Sequence, residues 1–345
     1  MSKADNLETD HRALYQEQLS GKVVRCQLCP HQCLLRDGKL GLCRARENRD
    51  GQLVTLAYGN PCSISIDPIE KKPLFHFFPG TGIFSMATAG CNFSCLNCQN
   101  WEISQVSPAA LTNYNLMPAD VIDQVLLRRV DSIAFTYTEP TVYYEYMLDT
   151  AKLAYEKGLK TVMVSNGYIN KQPLLELCPF LDAANIDLKC FDDVIYRKVT
   201  GGRLQPVLDT LKTLGEQGIW LEITNLLIPG ISDDEKMITA MCNWLATNGF
   251  EETPLHFSRF FPNYRLLQTS PTTEKMLLKA KELALEAGIK YVYIGNIPGL
   301  HGEHTSCPNC HKLLIERNGY VIVTNKLEEG HCPYCGKRIN GVWKD

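Results

Sequence analysis

With 345 residues, 45% of them hydrophobic and 21% charged, the chain can bury one large core with smaller attachments. A formal net charge of −3 excludes the strongly basic surface that nucleic acids call for, and no apolar run approaches the roughly 18 residues of a membrane span. Fifteen cysteines stand out, and most fall in tight groups, a pattern that points to metal rather than to disulfides.

Residues 1–21 are polar and lack the apolar core of a signal peptide, so a cytoplasmic location is expected. They predict one short helix over His11 to Leu19. Cys26, Cys29, Cys33 and Cys43 follow at C-x2-C-x3-C-x9-C spacing. Four thiols can close a structural zinc site, the favoured reading, or carry an iron–sulfur cluster, and His31 can replace one of them. A third reading leaves some of the four without a ligand role. Residues 51–66 alternate weakly around Gly51, Gly59 and Pro61, which predicts short strands and turns. The run from Pro68 to Gly80 mixes lysines with aromatics between prolines and reads as a packed connector, with Lys71, Lys72 and His76 as alternative site residues.

From Ile83 onward, strands alternate with helices. Strand candidates are 83–89, 132–136, 160–164, 182–188, 219–227, 254–257 and 290–294; helical spacing covers 118–130, 141–157, 171–178, 203–217, 233–248 and 272–287. Pro118-Ala119-Asp120 and Ser232-Asp233-Asp234 suit helix starts, and Gly158, Gly218, Gly249 and Gly288 suit stops. Each crossover is long enough for a helix, so the sheet should be parallel. The expected fold class is α/β, a partial (β/α)6 TIM-like barrel with a Cys-rich segment before it and a ribbon after it. The expected domains are 1–75, 76–300 and 301–345.

In such folds chemistry gathers at the C-terminal ends of the strands. The first strand leads directly into Cys91, Cys95 and Cys98 at C-x3-C-x2-C spacing. Three thiolates do not close a tetrahedral zinc site, but they suit a four-iron cluster with one iron left open. Later strands end in Tyr137-Thr138-Glu139-Pro140, Ser165-Asn166-Gly167, Asn185-Ile186-Asp187-Leu188-Lys189 and His256-Phe257-Ser258-Arg259. Each also has a plainer structural reading. Glu139 before Pro140 suits a helix start, Asn-Gly suits a turn, and Asp187 with Lys189 suits an ion pair.

The cysteine spacing within a β/α repeat resembles the radical S-adenosylmethionine (SAM) superfamily from about residue 76 to 296. Within it the chain resembles glycyl-radical activating enzymes such as pyruvate formate-lyase activase. The Cys26–Cys43 lead-in and Ile69-Glu70-Lys71-Lys72-Pro73-Leu74 resemble the AmmeMemoRadiSam-system enzymes most closely. The resemblance implies a [4Fe–4S] cluster on Cys91, Cys95 and Cys98, and SAM on its open iron. It also implies reductive cleavage of SAM, with hydrogen abstraction from a protein or small-molecule substrate by the resulting 5′-deoxyadenosyl radical. Thr138, Glu139 and Pro140 stand where the family holds the SAM amino group, here with Tyr-Thr in place of two glycines. Ser165, Asn166, Asp187, Lys189 and His256 are the further implied SAM contacts. Asn97 stands where an aromatic residue commonly precedes the third cysteine, so only its backbone is expected to meet adenine. An electron donor such as flavodoxin or ferredoxin is implied, and Memo-like and AMMECR-type proteins are implied partners. No membrane or nucleic-acid partner is expected.

Cys307, Cys310, Cys332 and Cys335 form C-x2-C-x21-C-x2-C, with strands at Ile315 and Val321–Val323 between the pairs. This spacing predicts a structural zinc (Zn2+) ribbon. The rival to an enzyme is a non-catalytic zinc or iron–sulfur scaffold in which every clustered cysteine is structural.

Overall fold

The computed structural model describes residues 11–297 and 299–344. Its centre is an eight-stranded sheet: β1 (Ser63–Pro68), β2 (Gly82–Ala87), β3 (Ser132–Phe135), β4 (Lys160–Ser165), β5 (Ala183–Asp187), β6 (Trp220–Leu227), β7 (Leu255–Arg259) and β8 (Val292–Gly295), ordered as in the chain. β2 to β8 are parallel; β1 pairs antiparallel with β2 through Ile64↔Met86 and Ile66↔Phe84. The crossovers carry α1 (Pro118–Leu127), α2 (Tyr144–Glu156), α3 (Lys171–Leu177), α4 (Asp193–Thr200), α5 (Leu204–Glu216), α6 (Glu235–Thr247) and α7 (Glu274–Glu286).

The strands are short apolar runs because both faces are covered. One face (Met86, Ile133, Phe135, Met163, Ala184, Ile186) packs on the helices. The other (Ile83, Ala134, Val162, Ala183) is filled by Ile69, Leu74 and Phe77 of the connector. Helix starts are set by side chains: Asp192 accepts from the Ile195 amide at 2.8 Å and Asp234 from the Met237 amide at 2.9 Å.

Two expectations change. The helix over His11 to Leu19 is instead two strands, His11–Arg12 against Gln52–Thr55 and Gln16–Gln18 against Val24–Cys26. The partner of His11–Arg12 lies far along the chain, and Tyr15 between the two strands adopts φ +54°, outside the right-handed helical region. The sheet also gains an antiparallel edge, β1, and α4 is a helix that the apolar pattern did not mark.

The connector is a plug. Lys72 is buried and its Nζ lies 2.6 Å from Asp67 Oδ2 and 4.4 Å from the centre of the Tyr137 ring; the Tyr137 hydroxyl donates to the same carboxylate. Burial outweighs the pairing at Lys72, pushing its ammonium down to about 8. At Asp67 burial works the other way, and the bonds from Lys72 and Tyr137 overcome it, holding the carboxyl well below the usual range. Asp67→Ala strands this ammonium, and an expected loss of about 3–5 kcal/mol is checked by urea unfolding.

His76 is buried, with Nδ1 2.6 Å from the Asn340 carbonyl and Nε2 bonded to the Tyr293 hydroxyl. Burial pushes its pKa down to about 4. It is thus part of the packing, not of the barrel mouth. The C-terminal strands Thr305–Ser306, Leu313–Asn318 and Val321–Asn325 form a separate antiparallel sheet. Leu314 and Ile315 of this sheet pack on Phe75, Tyr291 and Tyr293. Arg317 Nη2 of this sheet donates to the Phe75 carbonyl at 2.7 Å, and Val342 beyond it bridges Phe77, so the C-terminal segment clamps the connector.

Candidate active site

The loop after β2 carries Cys91, Cys95 and Cys98, each half-buried. Two amides pin it to the end of α4: Ser94 donates to the Thr200 carbonyl at 2.8 Å and Leu96 to the Val199 carbonyl at 3.0 Å. Phe93 is buried against Tyr168, with ring centres 4.9 Å apart. The close approach of α4 needs Gly202, where a Cβ would stand 2.2 Å from the Phe93 ring. The unrecognised helix α4 is therefore the backstop of the cysteine loop.

Around the thiols stand the ends of the next three strands. Thr138 Oγ1 donates to the Thr88 carbonyl at 2.8 Å, tying β3 to β2. Glu139 is buried and firmly held: its Oε1 accepts from the Thr141 amide and hydroxyl and from Ser165 Oγ, and its Oε2 accepts from the Asn166 amide at 2.8 Å. Pro140 opens the following 3-10 turn, Pro140–Tyr143. The Glu139 carboxylate caps that turn and ties β3 to β4, and its Oε2 accepts a single protein bond. Asn166 Nδ2 donates to Asn92 Oδ1 at 2.8 Å and approaches Cys91 Sγ at 3.9 Å.

Asp187, the last residue of β5, pairs with Lys189 at 2.5 Å. Burial pushes the Cys95 thiol up to about 12, opposed first by the Lys189 ammonium. Burial also raises Cys91, and the Glu139 charge adds to it. Buried this way, the bare Cys91 and Cys95 thiols stay protonated at neutral pH; a bound metal group is what would ionise them. The three sulfurs of the loop, with Lys189 beside them to offset charge, fit a thiolate-ligated cluster with one position left open.

His256 does not join this group. Its Nε2 lies 2.6 Å from Glu222 Oε2, and Phe75 meets its ring edge-on at 4.7 Å. The inward-facing row that carries His256 is covered there by the connector, so it packs the plug. Asn97 is half-exposed between the second and third cysteines. Aromatic surface comes instead from a pair the sequence did not single out: Trp101 stacks on Tyr264 at 5.2 Å, and the Arg265 amide donates to the Leu96 carbonyl at 2.9 Å. The only early signal was an aromatic residue three positions after Cys98.

Near the C-terminus, Cys307, Cys310, Cys332 and Cys335 bring their sulfurs within 4.8 Å of one another, the one such group of three or more ligands among the described residues. The arrangement is compatible with a zinc ribbon.

Comparison with known proteins agrees with this geometry. The model of the radical SAM superfamily matches residues 86–241. A protein of Methanocaldococcus jannaschii, named only as uncharacterized protein MJ0808, is 46% identical over 334 residues, 96% of this chain and 99% of its own. The pyruvate formate-lyase 1-activating enzyme of Escherichia coli K12 is 24% identical over 161 residues, 45% of this chain and 65% of that enzyme. A solved radical SAM methyltransferase from Sphaerobacter thermophilus shares the fold with a TM-score of 0.50 at 14% identity, over 63% of this chain and 67% of that one. The cysteine loop at the strand ends, the matching family model and the activating-enzyme relatives lead to one conclusion: residues 86–241 form a domain of the radical SAM superfamily.

Proposed function

We propose that this protein is an enzyme that cleaves SAM reductively, with Cys91, Cys95 and Cys98 holding a [4Fe–4S] cluster. The observation that carries the reading is the set of three thiols on one loop, ringed by the ends of β3, β4 and β5, with no fourth cysteine in that loop. When bound, the cluster supplies an electron to the SAM sulfonium, which splits into methionine and a 5′-deoxyadenosyl radical able to take hydrogen from a substrate. Lys189 offsets the thiolate charge, Asn166 stands beside Cys91, and the Glu139 bonds keep the strand ends in register. The Trp101–Tyr264 stack offers a face for a purine, and the plugged barrel floor keeps water from that side.

Anaerobic reconstitution with iron and sulfide, followed by dithionite and SAM, tests the reading. 5′-Deoxyadenosine and methionine should appear in equal amounts; zinc alone, with no acid-labile sulfide, would sink it. The activase relatives and the Cys26–Cys43 lead-in support an oxidoreductase of activating-enzyme type in the AmmeMemoRadiSam group. Its donor would be a flavodoxin or ferredoxin, its partners Memo-like or AMMECR-type proteins, and its location the cytoplasm. No helix among the described residues is long and apolar enough to cross a membrane.

The ribbon cysteines are proposed to hold Zn2+. Cys307→Ser/Cys310→Ser should lose about one zinc per chain. Because the ribbon clamps the connector, proteolysis within 301–345 should also accelerate.

A further inference from the structure

The four N-terminal cysteines have no part in the reading above, yet the fold brings them together. Cys26, Cys29, Cys33 and Cys43 line one cavity with Leu28, Leu35, Val142 and Arg46. All four are free thiols. The Cys26 amide donates to the Cys33 carbonyl at 3.0 Å, which closes the loop bearing Cys29. Arg46 is 1% exposed and its Nη2 pairs with the buried Glu145 carboxylate; its Nη1 donates to the Leu14 carbonyl at 3.0 Å and lies 3.5 Å from Cys26 Sγ, and its buried Nε has no hydrogen-bond partner. Four thiols around one cavity, with a guanidinium N–H aimed at one of them, mark a place for a group held by thiolate ligands.

We propose that these four cysteines hold a polynuclear iron–sulfur cluster, where the sequence favoured a single zinc ion. Four thiolates on one zinc, at Zn–S distances of about 2.3 Å, stand about 3.8 Å apart. The ribbon thiols already show that closure, with Cys307–Cys335 and Cys310–Cys332 sulfurs 3.6 Å apart. The N-terminal four surround their cavity without it, since among the described residues only the ribbon brings three or more ligand atoms within 4.8 Å. A cluster spreads its thiolates over several irons and so needs ligands standing apart around a cavity. The Arg46 N–H groups are the kind of donor that tunes such a centre.

The cavity adjoins the Cys91 loop. Asn92 lines it, and its carbonyl lies 2.8 Å from His31 Nε2. Gly90 adopts φ +102°, and a Cβ there would stand 2.6 Å from the Cys43 carbonyl oxygen. Only glycine lets the two cysteine loops meet so closely. The second centre would thus lie one residue's backbone from Cys91.

The assignment does not depend on SAM cleavage, and metal content tests it directly. After anaerobic reconstitution with iron, sulfide and zinc, a Cys91→Ala/Cys95→Ala/Cys98→Ala variant should keep about two to four irons per chain with matching sulfide, and show a cluster signal by EPR after reduction. Adding Cys29→Ser/Cys33→Ser should remove both iron and sulfide while the ribbon keeps its zinc. The proposal is overturned if the triple variant holds no iron, or if it holds a second zinc that the added substitutions remove. Should the five-site variant fail to fold, the iron, sulfide and zinc content of the triple variant still decides.

Discussion

Cys95→Ala is expected to bring SAM cleavage down to the uncatalysed level, a loss of about 10⁶-fold or more. The argument begins with geometry. Cys95 sits on a loop held by the Thr200 and Val199 carbonyls, between Cys91 and the Asp187–Lys189 pair. Its neighbours leave no replacement: the described residues offer no other thiol on this loop, and Ser104 Oγ, 3.2 Å from Cys98 Sγ, is already engaged there. A cluster with two thiolates is weakly held, so iron and sulfide should fall together with activity. Lys189→Met is the informative companion. It removes the ammonium that opposes burial at Cys95 and leaves Asp187 unpaired, so the cluster should load less completely as pH falls. Single-turnover release of 5′-deoxyadenosine, measured with iron content on the same sample, checks both variants. Release by Cys95→Ala at the wild-type rate would refute the assignment of the loop.

Glu222→Ala is expected to destabilise the fold by about 3–5 kcal/mol, although it touches no thiol. The side chain is fully buried on β6. It accepts from the Phe75 amide at 2.9 Å, the His76 amide at 2.8 Å and Trp220 Nε1 at 3.1 Å, and it meets His256 Nε2 at 2.6 Å. Removing it strands two backbone donors of the plug together with the imidazole. The same carboxylate sets an acid limit. Burial alone would raise its pKa, but the bonds from His256 and the plug overcome burial and hold it below the ordinary value. As pH falls, the unfolded chain therefore takes up this proton first. The stabilisation is complete above the ordinary glutamate pKa of about 4.3 and is lost as pH drops through the lower, folded value. Urea unfolding from pH 3 to 7 should show this component in the wild type and not in Glu222→Gln. An identical pH profile in both would locate the acid limit elsewhere.

The parallel core was legible because its strands are buried on both faces. Ile133-Ala134-Phe135 and Ala183–Asp187 read as apolar runs between amphipathic helices, and all seven parallel strands overlap the expected segments. β1 was harder. Ser63–Pro68 alternates only partly and ends in proline, and it becomes a strand because Gly82–Ala87 offers it a free edge. α4 hid because it is short and polar on one side, with Val194 exposed.

At the site, spacing was enough to single out Cys91, Cys95 and Cys98, because three ligands within eight residues must share a loop whatever the fold. The same holds for the ribbon pairs. Residue type and strand position also placed Thr138, Glu139, Ser165, Asn166, Asp187 and Lys189 near that loop. Tertiary structure decided what each of their atoms meets. Glu139 accepts from Thr141, Ser165 and Asn166, and His256 turns to Glu222 beneath the plug. It also set the width of the N-terminal cavity, which sequence spacing leaves open. Hydrogen-bond partners and ligand separation depend on groups brought together from distant segments, and no local pattern encodes them. The chain by itself determined where thiolate chemistry can occur; the packing of the plug, α4 and the N-terminal strands decided what each neighbour of those thiols can do.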